Sequence, residues 1–206
     1  MSLPNYYFEN AAAMAANAMN KMTRLYWHKH SNENSKDQPS ERNLTNHFAF
    51  SLANLFTESR VVYSMYFEAT VNGKRLDALF KLNNPNMFIL IEARHLLARD
   101  DERGYSIKRD VEKVCQIKHY IQNQFPGYDF TNVIIADSWH EEDLPVWENE
   151  PSLDGFVKSS YKIRKQDDYN WQLHLAISPN GESRYQPKEE AEDLSAQAAE
   201  LIVGIS

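Results

Sequence analysis

The sequence predicts one α/β domain, a three-layer sandwich with a central mixed β-sheet. Three observations predict this fold class. A segment with helical periodicity precedes three short strand-like runs, tight turns separate those runs, and a further amphipathic helix leads into another apolar strand. The length of 206 residues suits a single domain. Within it we assign 1–30 to an N-terminal helix, 41–136 to the core and 137–206 to a C-terminal elaboration.

Two helices are expected before the strands. Residues Asn5–His28 are rich in Ala, Met and Asn, and their apolar side chains recur at helical spacing. A polar loop over 31–40 ends at Ser40, which can cap a second helix. Glu41 lies in the first turn of that helix, three residues before Leu44 and on the same face.

Three strand-like runs follow, over Val61–Ala69, Arg75–Leu82 and Met87–Ala93. The first two are joined by Asn72-Gly73, which is the strongest short sequence signal for a β-hairpin. The last two are joined by a polar turn over Asn83–Asn86. The three runs therefore predict an antiparallel meander.

The second half of the chain is expected to cover and extend this meander. Ser106–Phe125 has the apolar stripe of an amphipathic helix, which a Pro-Gly pair ends, and Asn132–Ala136 is an apolar strand. Trp171–Ile177 alternates as a further strand, and Glu189–Val203 is expected to form an acidic helix. The pattern over 141–168 favours no element.

Composition limits the classes of function. The formal net charge is −7, so any nucleic-acid contact must come from a local basic patch. The single cysteine, Cys115, excludes an internal disulfide and a cysteine-based zinc cluster, and a reducing setting is the simpler expectation. With no secretory leader and no apolar stretch of about twenty residues, we expect a cytoplasmic protein without a membrane partner. The Ala- and Met-rich first helix is a candidate homo-oligomer surface, although packing on its own domain is the simpler expectation.

Counting outward from the two turns aligns three carboxylates. If Asn72-Gly73 is a two-residue loop, Glu68 lies opposite Asp77, and the same counting from the second turn places Asp77 opposite Glu92. The counts start from the pairs Val71–Lys74 and Leu82–Met87. Opposed residues share a face, and like charges there need a compensating cation. A divalent metal with oxygen ligands would supply it.

A purely structural explanation of the same row stays open. Arg75 and Arg94 are expected on that face, diagonal to the carboxylates, and a solvated face of alternating ion pairs needs no chemistry. On this reading the chain is an unrelated α/β protein whose sheet carries salt bridges.

Three short motifs, in this order along the chain, resemble a known family. Leu76-Asp77-Ala78, Ile91-Glu92-Ala93-Arg94 and Gln116-Ile117-Lys118-His119-Tyr120 are similar to the D…(D/E)xK…QxxxY series of PD-(D/E)XK nucleases. The last motif is typical of the RecB-like and lambda-exonuclease-like branch. The resemblance covers 41–136 and implies a restriction-endonuclease-like core that hydrolyses DNA phosphodiester bonds with Mg²⁺ or Mn²⁺.

The resemblance also implies ligands for that metal. Asp77, Glu92 and the backbone carbonyl of Ala93 would coordinate it, and Glu41 matches the additional acidic residue that many members place at the start of a helix. Glu68 has no firm counterpart in the family and is a candidate ligand only from the strand counting.

The remaining site residues include one departure from the family. Gln116 and Tyr120 would steady the site or the substrate phosphate. Arg94 stands where the family has lysine, keeping the positive charge but unable to accept a proton. Lys113 lies on the same helix face as Gln116 and is a possible substitute, although it could equally belong to a solvated face. The alternative to an active nuclease is a catalytically inactive nuclease-fold protein that binds nucleic acid or acts as an assembly or regulatory module.

Overall fold

The computed structural model of the chain describes residues 3–27, 41–96, 107–139, 141–166 and 169–178. Within these ranges the chain forms four α-helices and one open six-stranded mixed sheet. The helices are α1 (Tyr6–Trp27), α2 (Glu41–Glu58), α3 (Ile107–Gln124) and α4 (Leu144–Glu148). The strands are β1 (Tyr63–Val71), β2 (Lys74–Asn83), β3 (Asn86–Leu96), β4 (Asp129–Ser138), β5 (Val157–Gln166) and β6 (Tyr169–Ser178).

The sheet order is β1-β2-β3-β4-β6-β5. Strands β3 and β4 pair in parallel through the α3 crossover, and every other neighbouring pair is antiparallel. The predicted α/β class and mixed sheet are therefore confirmed, as is the strand predicted at Trp171–Ile177. The range 141–168, in which no element was predicted, contains α4 and β5. The helix expected at Glu189–Val203 lies outside the described residues.

Helices cover both faces of the sheet. Helices α1 and α2 pack on one face, which we call the α1/α2 face, and α3 and α4 pack on the other, the α3 face. The sequence of β3 is almost continuously apolar because both faces of this strand are buried. Ile89 and Ile91 pack on the α1/α2 face, whereas Phe88 and Leu90 pack on the α3 face. None of the helices in the described ranges is long and apolar enough to cross a membrane.

Both hairpins have the predicted register where they leave their turns. Val71 pairs with Lys74, and Leu82 pairs with Met87. Each of these pairs supports the counting that aligned the acidic residues along the strands.

Strand β1 is distorted at Glu68. This residue has a φ of +50°, in the left-handed region that a side chain rarely adopts within a strand. Phe67, just before it, packs on the α1/α2 face, whereas Ala69, just after it, packs on the α3 face. The regular alternation of β1 side chains between the two faces of the sheet is therefore interrupted at Glu68, which lies beside Asp77 of β2.

The β2–β3 ladder ends close to the same point. Its last pair is Ala78 with Ile91, so Asp77 and Glu92 lie just beyond the paired region. Strand β3 continues along β4 as far as Leu96. The sheet is thus open between β2 and β3 where two of the predicted site residues stand.

Candidate functional site

Asp77 bridges the end of the β2–β3 ladder. Its Oδ2 accepts a hydrogen bond of 2.8 Å from the backbone N–H of Ala93. A side-chain carboxylate thereby replaces the backbone carbonyl that a continuing ladder would supply. The contact fixes Asp77 beside the Glu92-Ala93 segment, as the sequence predicts for these two motifs.

Glu92 is the buried acid of the site. It is 2% exposed, and its Oε1 is a buried oxygen without a hydrogen-bond partner. Burial, followed by the nearby Asp77 carboxylate, raises the pKa of Glu92 to about 9, and Lys113 acts in the opposite direction. Such a carboxylate is incompletely compensated in its charged form and favours a further cation nearby.

Lys113 supplies one cation from α3. Its Nζ lies 2.6 Å from Oε2 of Glu92, and its side chain is 29% exposed. The amphipathic pattern of α3 explains this reach, because Val111 and Val114 are buried against the sheet and Lys113 lies between them at the rim. The structure therefore brings Lys113 into contact with a predicted metal ligand.

Arg94 is held by a residue for which no role was predicted. Its Nε donates to Oδ2 of Asp110 at 2.6 Å, and both side chains are nearly buried. Asp110 lies in the first turn of α3, where an acidic residue is ordinarily explained by the helix dipole. Its spacing of three residues from Lys113, on one helix face, was the signal that could have included it in the site.

The three-carboxylate row is not formed. Glu68 turns to Arg42 of α2, with Oε1 3.0 Å from Nη2, and both side chains are well exposed. The counted register holds on both sides of Glu68, since Phe67 pairs with Ala78 and Ala69 with Leu76. The left-handed backbone of Glu68 is the reason that its side chain does not join Asp77, because the counting assumed a regular strand. In the described ranges no three or more His, Cys, Asp or Glu side chains form a group that could hold a metal ion.

The other predicted site residues have more distant or undetermined places. Gln116 is exposed on α3, and Tyr120 is half-buried and packs against the core of the α3 face. Glu41 begins α2, as expected, but its side chain lies outside the described part of the structure. Arg75 is exposed on β2.

A second polar cluster lies on the opposite face of the sheet. Asp137 of β4 is fully buried, and its Oδ2 accepts the indole N–H groups of Trp139 and Trp171 at 3.1 and 2.9 Å. Its Oδ1 contacts Nδ1 of His95, the parallel-strand partner of Asp137 on β3. The two indoles stack with centroids 4.3 Å apart. The β3–β4 register brings His95 to Asp137 and the β4–β6 pairing brings Trp171, and the sequence supplies neither register.

A buried histidine links the added hairpin to the core strands. His174 of β6 is bonded through Nε2 to Ser138 of β4 and through Nδ1 to Ser160 of β5, both at 2.8 Å. Trp147 of α4 stacks on the imidazole with centroids 5.4 Å apart. Burial lowers the pKa of His174 to about 4, so the ring is neutral at physiological pH. Its contacts give this cluster a structural role.

Comparison of the chain with protein-family models, curated proteins and solved structures gave no match.

Proposed function

We propose that the chain is a PD-(D/E)XK-type nuclease that hydrolyses phosphodiester bonds of DNA with Mg²⁺ or Mn²⁺. The order α2, β1–β2–β3, α3, β4 supports a restriction-endonuclease-like core, since this is the order that the motif resemblance implies. The strands β5 and β6 then extend that core beyond β4.

One observation carries the proposal. Asp77 and Glu92 lie together where the β2–β3 ladder ends, and one oxygen of the deeply buried Glu92 has no hydrogen-bond partner. Asp77, Glu92 and the Ala93 carbonyl offer only oxygen donors, the set that Mg²⁺ and Mn²⁺ prefer. These residues fit a hard divalent cation, and Glu41, at the start of α2, is a further candidate ligand.

The residues of the chain then have distinct tasks. When bound, the metal would activate a water nucleophile and offset the charge that develops on the phosphate. Lys113 stabilises the charged form of Glu92 and, unlike an arginine, can exchange a proton with a bound water. Arg94, which is held by Asp110 and lies two residues after Glu92, would provide a permanent positive charge to the substrate phosphate.

The proposed function is tested by cleavage of end-labelled single- and double-stranded DNA. Wild-type protein with Mn²⁺ or Mg²⁺ should cleave at least one substrate, and cleavage should stop when the metal is chelated. An RNA of the same sequence serves as the comparison substrate. A folded protein that cleaves none of these nucleic acids with either metal would overturn the proposal.

One observation favours the alternative of a catalytically inactive nuclease-fold module. Both cations of the site already contact carboxylates, Lys113 at Glu92 and Arg94 at Asp110, so the charges are partly balanced without a metal. Thermal melting with and without Mn²⁺ separates the two functions. A ligand at a hundred times its Kd adds about 2.7 kcal/mol to the stability of the folded state, whereas an inactive module that binds no metal would melt at an unchanged temperature.

A further inference from the structure

Strand β5 has a charge opposite to that of the whole protein. Four of its ten residues are cationic, and none is acidic, in a chain of formal net charge −7. The four are Lys158, Lys162, Arg164 and Lys165. The nearest acidic residues along the chain, Asp154 and Asp167, lie outside the strand. A local concentration of this kind is what an acidic protein needs in order to bind a polyanion.

The strand forms one edge of the sheet, with β6 as its neighbour. Lys158 and Lys162 are exposed and belong to the same face of the strand, because they lie four residues apart. Ser160 lies between them on that face and bonds to His174. At about 3.3 Å per residue, the two lysines start about 13 Å apart along the edge, which is roughly the rise of four stacked nucleotides.

The register relates this edge to the candidate site. Glu92 pairs with Ile134 of β4, Ile134 with Ala176 of β6, and Ala176 with Lys158 of β5. One row of the sheet therefore runs from Glu92 to Lys158 across three strand spacings, about 14 Å in all. A nucleic-acid strand bound at the edge would lie within a few nucleotides of the candidate site.

An irregularity in β5 favours a nucleic acid over an acidic peptide as the polyanionic partner. The register shifts between Lys162 and Arg164, so the strand carries a bulge there. Bulges and edge lysines both disfavour the addition of another strand. An acidic peptide that pairs with the edge is therefore a poor fit, whereas a phosphate backbone needs only the side-chain charges.

We infer that β5 is a phosphate-binding edge that holds nucleic acid without reading its sequence, with Lys158 and Lys162 as contacts. The inference rests on the proposed function in one respect, that the bound strand is the one cleaved at Asp77 and Glu92. Binding itself needs neither metal nor cleavage.

The test is fluorescence anisotropy with labelled single- and double-stranded DNA of about 20 nucleotides, in EDTA, over a range of salt concentrations. Each phosphate contact contributes about 0.9 to the slope of log affinity against log salt for duplex and about 0.7 for single strands. The double variant Lys158→Gln/Lys162→Gln should lower the duplex slope by about 1.8 and weaken binding at low salt at least tenfold. The control Lys74→Gln/Arg75→Gln makes the same change of charge on β2 and should bind nearly as wild type does.

Lys158 also donates to the backbone carbonyl of Glu148 at 3.1 Å, so Lys162→Gln alone is a necessary second variant. It should lower the duplex slope by about 0.9 without a change in melting temperature. The inference is overturned if wild type binds neither DNA, if the variants keep the wild-type slope, or if the β2 control loses as much. If binding depends on β5 but no cleavage occurs with metal, the proposed nuclease activity fails and the binding edge stands.

Discussion

Lys113 reaches from α3 to place its Nζ 2.6 Å from Oε2 of Glu92, and Arg94 occupies the position of the lysine in the PD-(D/E)XK motif that the sequence resembles. Arg94 is instead bound by Asp110, one helical turn before Lys113. Lys113 and Arg94 therefore have different roles. One contacts a candidate metal ligand, and the other is fixed by a carboxylate of its own.

The proposed nuclease function predicts that replacing Lys113 sharply lowers cleavage. Lys113→Met takes away the cation at Glu92 and the only lysine amine found in contact with the described site, so cleavage with Mn²⁺ should fall by at least about 100-fold. Lys118→Met, on the same helix, is the matched control and should stay within about twofold of wild type. Unchanged cleavage by Lys113→Met would show that another group serves as the cation.

Asp77 and Glu68 should differ sharply in their effect on cleavage. Asp77→Asn keeps an oxygen that can accept the Ala93 N–H, so the fold should persist, but a charged candidate metal ligand is lost. We expect a fall of more than about 100-fold, beyond the effect typical of groups that only support a ligand. Glu68→Gln, whose partner is the exposed Arg42, should cleave as wild type does. Equal losses in the two variants would restore Glu68 as a ligand.

The Arg94–Asp110 pair should show strong coupling in stability. Both side chains are nearly buried, at 13% and 10% exposure. Arg94→Met leaves the Asp110 carboxylate buried and uncompensated, which should cost about 3–5 kcal/mol of unfolding free energy. The double variant Arg94→Met/Asp110→Leu should recover most of that loss. Urea denaturation of wild type, Arg94→Met, Asp110→Leu and the double variant measures the coupling energy of the pair. If the effects of the two single variants add, the pair is not coupled.

His174 should contribute a loss of stability in mild acid. Its pKa is about 4 in the folded protein against 6.5 as the reference value, so the unfolded chain binds the extra proton. The stabilisation is fully present above pH 6.5 and is lost as the pH falls from 6.5 towards 4, by about 3 kcal/mol in total. His174→Gln should remove this positive contribution to the slope of unfolding free energy against pH. Glu92, whose pKa is raised from 4.5 to about 9, contributes a slope of the opposite sign in both proteins, and half-buried His47 contributes a further positive one, so the difference between the two curves is the quantity to compare. A His174→Gln curve with the same slope as wild type would contradict the assignment.

Much of the fold follows from local patterns. Helix periodicity places both ends of α1 and α3 to within one residue, and the Ser40 cap places the beginning of α2. The Asn-Gly turn sets the pairing of Val71 with Lys74. Strand β5 escaped prediction because it is an edge strand of mixed polarity, so its residues show no clear alternation. An apolar pattern reports burial, and over residues 157–163, the part of β5 whose side chains the structure describes, only Ile163 is buried.

The candidate site could be predicted only in part. Asp77 and Glu92 were found because their motifs are local, and Lys113 because it shares a helix face with Gln116. Glu68 stands opposite Asp77 as counted, but the turn of its side chain to Arg42 could not be predicted, because a left-handed residue within a strand leaves no reliable trace in the sequence. Asp110 was missed because its partner, Arg94, comes from a strand whose distance from α3 is set by tertiary packing.

The carboxylate of Asp137, which binds both Trp139 and Trp171, gives the protein an intrinsic spectroscopic probe. Trp139 and Trp171 stack face to face and donate to one oxygen, so their excited states are coupled in a fixed geometry. The near-ultraviolet circular dichroism of this pair should therefore report the docking of β6 against the carboxyl end of β4. That signal would follow the integrity of the scaffold without a label, on the side of the sheet away from Glu92, while substrate or metal is titrated.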